Sequence, residues 1–283
     1  MTGKLEILAP GAFATVQDLG RPGLAAMGVG RSGAADPDGL RLANRLVGNP
    51  EGHAAIEATL GGLRVRFGEQ ATIAVTGAAC EIRAGGRAAG MNAPIHVRAG
   101  DEVELGTPAR GLRSYLAVRG GIDVPPVLRS RATDTLARLG PARLSAGSTL
   151  PIGTVVLDLP GVDLAPQRAF PDELVLRVSR GPRLDWFTAD ALGVLTSSAY
   201  LVTSEVNRVG VRFTGPPLRR RVHDELPPEG CVPGALQVPP SGVPILFLAD
   251  HPVTGGYPVA AVVENLSPAA QARPGDVVRF KTS

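Results

Sequence analysis

The stretch Leu63-Arg64-Val65-Arg66-Phe67 alternates apolar and charged residues with a period of two. In an extended chain that spacing puts Leu63, Val65 and Phe67 on one face and both arginines on the other, the pattern of a half-buried strand. Similar short runs, each bounded by Gly or Pro, fall at residues 4–8, 71–76, 95–98, 102–105 and 115–118. With 36 glycines and 26 prolines scattered through 283 residues, many short strands and tight turns are expected rather than long helices. The clearest helix begins at Asp36, a capping residue followed by Pro37 at the first helical position. Leu40, Ala43, Leu46 and Val47 form its apolar stripe, and Gly48 ends it.

The second half repeats this habit. Strands are expected at 174–178 and 200–203, with a short helix near 185–192 between them. The run PILFLA at 244–249 has the form of a strand buried on both faces. Ser267-Pro268 opens a short helix that has to stop before Pro274. RAGDEVEL at 98–105 is echoed by RPGDVVRF at 273–280, which fits either two related β-barrel halves or common hairpin chemistry. The weakly patterned segment 145–167 is the candidate boundary. It separates an N-terminal β domain, 1–150, from a C-terminal β-barrel domain, 168–283.

Hydrophobic residues make up 44% and charged residues 19%, enough for a substantial core in a globular protein. The net charge is only +3 and aromatics are 4%, which argues against a nucleic-acid surface. Cys80 and Cys231 are far apart and form neither a disulfide framework nor a zinc motif, and the four histidines lack ligand spacing. No apolar run reaches membrane-spanning length and the N-terminus does not read as a secretion signal, so a cytoplasmic location with no membrane association is expected. There is no GxxxxGK[ST] phosphate loop and no GxSxG elbow.

Three segments concentrate polar residues among glycines. The first is TVQDLGRPG at 15–23 with GVGRSGAAD at 28–36, which holds Gln17, Asp18, Arg21 and Ser32. Its glycines would let backbone approach a ligand, and the helix starting at Asp36 would offer free N–H groups to an anion. The alternative is a pair of loops tied by an Asp18–Arg21 ion pair. The second, SEVNRVGVR at 204–212, carries Asn207 and Arg208, the latter able to grip a carboxylate or phosphate through two parallel hydrogen bonds. Arg219, Arg220 and Arg221 follow and read as a solvated face or a contact between subunits. The third is GALQVPPSG at 234–242 with ADHPVTGGYP at 249–258. Here Asp250 could serve as base, His251 as proton carrier, and Thr254 with the Gly255 and Gly256 amides as oxyanion donors. A glycine-rich hairpin capped by an aspartate is the plainer reading.

Those segments, together with RLANRLVGN at 41–49, EATLGG at 57–62 and QARPGDVVRF at 271–280, resemble the family of the 5-oxoprolinase C subunit. That family is also described as allophanate hydrolase subunit 2, or biotin-dependent carboxyltransferase-like. The resemblance runs in order along almost the whole chain. Ala35 stands where the family usually has Met, Val206 where it has Ser, and Asn265 where it often has Asp. The resemblance implies a mostly β protein with cyclophilin-like barrels. It also implies two partners, a B subunit of related fold and a third, A subunit, and an ATP-dependent opening of the 5-oxoproline lactam to glutamate. ATP would be bound by the assembled complex. Covalent biotin is not expected, because Lys4 and Lys281 are the only lysines. The implied roles are Asp250 as base, Arg208 for an anionic group, and Asn207 and Gln237 for the amide. Thr254 with Gly255 and Gly256 would supply oxyanion donors, beside Tyr257, with Gln17, Asp18, Arg21 and Ser32 as an opposite wall. Two other readings stay open: a carboxyltransferase component of a urea-carboxylase-like system, and a non-catalytic regulator that antagonises an inhibitor of a kinase.

Overall fold

The computed structural model describes residues 3–167 and 169–283, so the expected domain start at Arg168 lies outside the described residues. The chain divides into two compact units. One comprises Met1–Arg21, Ser32–Asp134 and Arg138–Phe170; the other comprises Pro22–Arg31, Thr135–Ala137 and Pro171–Ser283.

The fold is mostly β. In the first unit a six-stranded sheet runs in the order Thr149–Pro151, Lys4–Pro10, Leu63–Phe67, Glu102–Leu105, Ile82–Ala84, Arg87–Ala89. A five-stranded sheet has the order Phe13–Gln17, Ala55–Thr59, Arg113–Val118, Ala71–Gly77, Ile95–Val97. Leu63, Val65 and Phe67 are buried while Arg64 and Arg66 are exposed, as the alternation requires. The inward residues of both sheets merge in one core, with Leu5, Ile7 and Val65 from one and Val16, Ile56, Val75 and Leu116 from the other. Sheet-on-sheet burial of this kind supplies the main stabilising term, ~25 cal/mol per Å² of apolar surface removed from water.

The helix Pro37–Leu46 packs on the outer face of the five-stranded sheet through Leu40, Ala43 and Leu46 against Ala55, Ala74, Tyr115 and Ala117. Asp36 caps it by accepting from the Gly39 amide at 3.0 Å. At its far end Asn44 and Asn49 tie the exit. Asn49 Nδ2 donates to Asn44 Oδ1 and to Val118 O, and its Oδ1 accepts from the Gly120 amide.

In the second unit seven strands close a barrel: Glu173–Arg180, Val259–Val263, Ala235–Gln237, Ile245–Phe247, Gly210–Thr214, Ala199–Val206 and Val277–Thr282. Closure comes from the parallel pairing of its first and last strands. Tyr200, Phe213 and Phe280 fill the interior edge to face, with centroids 5.5–6.2 Å apart. The apolar run at 244–249 provides only the three-residue strand Ile245–Phe247. Beyond it the amides of Leu248 and Asp250 bond the carbonyls of Val209 and Arg208. The helix expected near 185–192 is displaced: Leu184–Trp186 is a 3-10 turn and the α-helix is Ala191–Ser197. Phe187 is extended and buried, and it bridges to Arg220; this long-range pairing interrupts the local helical tendency.

The sequence echo corresponds to one turn built twice. In each copy an aspartate carboxylate accepts from the amide three residues earlier at 2.8 Å, Asp101 from Arg98 and Asp276 from Arg273. Gly100 and Gly275 occupy the left-handed region at φ 85° and 92°. Each turn is clasped by an antiparallel neighbour, at Phe67 in one unit and Val202 in the other. The remaining strand neighbours differ: Glu102–Leu105 also pairs antiparallel with Ile82–Ala84, whereas Val277–Thr282 also pairs parallel with Glu173–Arg180. No helix of the described residues is long and apolar enough to cross a membrane.

Candidate functional site

In the first unit the segment 15–21 is laced to residues 127–133. Gln17 Nε2 donates to Thr133 O at 2.9 Å, and the Thr133 amide donates to Val16 O. Asp18 accepts from Gly20 N at 2.7 Å, Ser130 Oγ at 2.7 Å and Arg131 N at 2.6 Å. Arg21 Nη2 donates to Ala132 O at 2.5 Å, and its Nε reaches Val127 O at 3.4 Å. Ser32 Oγ donates to the same Thr133 carbonyl at 3.3 Å. Asp18 and Arg21 therefore grip neighbouring points of one loop and make no ion pair with each other. Gly33 has φ 91°, and a Cβ there would sit 2.7 Å from Gly20 N, so the SGAAD loop packs directly on the QDLG loop. Gln17, Asp18, Arg21 and Ser32 are thus brought together, all of them buried.

The start of the helix, expected to present free amides to an anion, is already occupied. Glu57, 1% exposed, accepts from the Ala35 amide at 2.9 Å and from Tyr115 Oη at 2.7 Å, and that Oη accepts from the Asp36 amide at 2.8 Å. Asp36 itself takes the Gly39 amide. Arg113 Nε stands 3.7 Å from Glu57 Oε1, an ion pair almost fully out of solvent. Burial, then the neighbouring Glu57 and Asp36 charges, hold the Tyr115 hydroxyl well above its ordinary value, so it stays protonated and can donate. Neither Glu57 nor Tyr115 stands out in the sequence as a site residue. The signal available is a glutamate flanked by Ala55, Ile56 and Ala58 in the strand AIEAT.

In the second unit Arg208 and Asp250 meet side-on. Nε donates to Oδ2 and Nη2 to Oδ1, both at 2.9 Å, with the residues 3% and 1% exposed. Thr135 adds its amide at 2.9 Å and its hydroxyl at 2.7 Å to Asp250 Oδ2. Thr135 comes from the polar stretch RSRATDTLAR at 129–138, which has no strand or helix period and so gives no warning of its role. Asn207 Oδ1 accepts from the Val209 and Gly210 amides, turning the hairpin that carries Arg208. Gln237 Nε2 donates to Tyr257 O at 3.2 Å, and a Cβ on Gly255 would collide with that same nitrogen. Thr254 and Gly255 pair antiparallel with Gly230 and Glu229, while Gly256 and Tyr257 are exposed. His251 stacks on Phe247 and its Nδ1 lies 2.8 Å from Pro252 O. Of the arginine triplet, Arg219 and Arg221 are exposed, and Arg220 turns inward to donate to Val238 O.

Over residues 27–282 the sequence matches the carboxyltransferase domain, subdomain A and B. The chain belongs to that family. Within it, the chain is 38% identical over 264 residues to the C subunit of the Escherichia coli (strain K12) 5-oxoprolinase, covering 92% of this chain and 84% of that protein. It is 33% identical over 282 residues to the C subunit of the Haemophilus influenzae 5-oxoprolinase, covering 98% and 90%. Urea amidolyase of Lachancea kluyveri is also similar, 33% identical over 97% of this chain, which corresponds to 17% of that much longer protein. Among solved structures, TTHA0988 superposes with a TM-score of 0.90 at 33% identity, over 99% of this chain. This carboxyltransferase-family chain spans only 55% of TTHA0988.

Proposed function

We propose that the chain is the C subunit of an ATP-dependent 5-oxoprolinase, a cytoplasmic enzyme that opens 5-oxoproline to glutamate together with its A and B subunits. The observation that carries this reading is similarity to two 5-oxoprolinase C subunits over nearly their whole length, 84% and 90% of each, whereas the urea-processing relatives match through a small part of theirs. A lactam is a poor electrophile, and ATP bound in the assembled enzyme supplies its activation by phosphorylation. The Gly20 amide is taken by Asp18, the Gly39 amide by Asp36 and the Ala35 amide by Glu57, so these three donors are not open to a phosphate. ATP is assigned to the partner subunits.

What this chain contributes is a positioned set of polar side chains. Asp250 is the candidate carboxylate. Arg208 keeps it oriented, and the Thr135 hydroxyl on Oδ2 is the group that an incoming water or amide N–H would replace. The Asn207 turn and the Gln237–Tyr257 contact fix the loops around it, with Thr254 and Gly256 at the surface for a developing oxyanion. The test is co-expression with the A and B subunits and an assay of 5-oxoproline opening with each subunit omitted in turn. Loss of activity without this chain supports the proposal. Undiminished activity without it, or a stable complex that converts nothing, contradicts it.

A further inference from the structure

One buried cation in the candidate site lacks a counter-charge. Arg21 is 1% exposed, and its Nε edge faces two carbonyls, Val127 O and Ala132 O. Nη1 has no hydrogen-bond partner, and among the described residues no carboxylate lies within 4.0 Å of the guanidinium. The other two buried arginines do have one, Arg208 in Asp250 and Arg113 in Glu57; part-buried Arg119 and Arg220, which reach solvent, bond only carbonyls. A guanidinium out of water with only carbonyl dipoles around it carries an expensive uncompensated charge. The sequence assigns the anion to Arg208, but that fork is filled by Asp250, and the helix N-terminus is filled by Asp36 and Glu57.

We infer that Arg21 is the receptor for a small oxyanion, bound at the Nη1–Nη2 end of its guanidinium. Resting on the 5-oxoprolinase reading, that oxyanion is the carboxylate of the lactam substrate. A carboxylate matches the end of a guanidinium through two parallel hydrogen bonds, a fit that an ammonium does not reproduce. The surroundings are built around the side chain. Gly140, at φ 79°, lies where a Cβ would come to 3.1 Å from Nη2 and collide with Ala132 O. The turn touching Nε, residues 127–130, is exposed at 127–129, and its central Leu128 and Arg129 are both left-handed, at φ 50° and 66°. Two non-glycine residues in that region are strained, and Asp18 pins the turn through Ser130 and Arg131. The 3.4 Å contact to Val127 O lies on the Nε edge and is kept when the anion binds at the Nη1–Nη2 end.

In the assembled enzyme, Arg21→Lys raises KM for 5-oxoproline roughly 10- to 100-fold with kcat largely retained, the loss of one charge-assisted bond pair. An unchanged KM overturns the assignment. A second measurement needs no turnover and so is independent of the enzymatic reading: thermal unfolding of the full chain titrated with 5-oxoproline, pyrrolidin-2-one or inorganic phosphate. Wild-type chain is stabilised by 5-oxoproline and not by pyrrolidin-2-one, which lacks the carboxylate, and Arg21→Lys weakens that response. Stabilisation by phosphate alone overturns the substrate-carboxylate assignment, and no stabilisation by any of the three overturns the anion site. If the chain responds to 5-oxoproline but the assembled enzyme converts nothing, the site stands and the activity fails.

Discussion

Replacing Asp250 with asparagine keeps the side chain's shape, removes its charge, and breaks the buried ion pair with Arg208. In the native chain the carboxylate accepts two parallel bonds from Arg208 and two from Thr135, all between 2.7 and 2.9 Å. The asparagine amide turns one acceptor into a donor that faces other donors. Breaking a buried pair by removing one member costs about 3–5 kcal/mol. For a unit of this size that lowers the unfolding midpoint by roughly 10–15 °C. Calorimetry of the full chain reads the shift directly. Asp250→Leu combined with Arg208→Met removes both charges together and recovers part of the loss; the Thr135 amide and hydroxyl still lose their acceptor. If Asp250→Asn unfolds within about 2 °C of wild type, the reasoning that this pair is a structural clamp is wrong. If that variant is also stable but inactive in the assembled enzyme, the carboxylate acts chemically alone.

Three further outcomes are expected. Tyr115→Phe removes the hydroxyl that joins Glu57 to the Asp36 amide and destabilises the first unit by about 1–3 kcal/mol at neutral pH. Because the folded-state value of Tyr115 is raised above the ordinary 10.0, wild-type stability is intact below pH 10 and falls as pH rises beyond it; pH-dependent unfolding of the Phe variant loses that component. His53 is held below its ordinary 6.5, mainly by burial and then by Arg131, so its contribution is present above pH 6.5 and is lost as pH falls below it; His53→Gln flattens the acid limb of a stability–pH curve. Gly140→Ala forces a Cβ onto Ala132 O at positive φ, which costs about 1–3 kcal/mol by denaturant unfolding, whereas Gly86→Ala, with open space around it, costs less.

Much of the fold is legible in the sequence because it is written locally. The period of two at Leu63–Phe67, the Asp36–Pro37 helix start and the Gly-Asp turns at 100–101 and 275–276 all depend on neighbours in sequence. The displaced helix near 185–192 marks where locality fails, since Phe187 is held extended by Arg220 across the chain. The site is half legible for the same reason. Glycine-flanked polar residues stand out, but their partners lie more than a hundred residues away: Asp18 with Ser130 and Arg21 with Ala132. Spacing also misjudges roles. Arg208 looks like the free anion grip and proves to be occupied by Asp250, whereas Arg21 looks like the mate of Asp18 and proves to have no carboxylate within 4.0 Å among the described residues.

Under the proposed function this carboxyltransferase-family chain works in lactam opening and not in carboxyl transfer from biotin. The direct measurement is glutamate formed from 5-oxoproline per ATP hydrolysed by the complex of all three subunits, with excess avidin present to sequester any biotin. Lactam opening predicts glutamate and ADP in equal amounts, unaffected by avidin, and no turnover when this chain is left out. Activity that appears only on adding a biotinylated carrier protein, and that avidin abolishes, would contradict it.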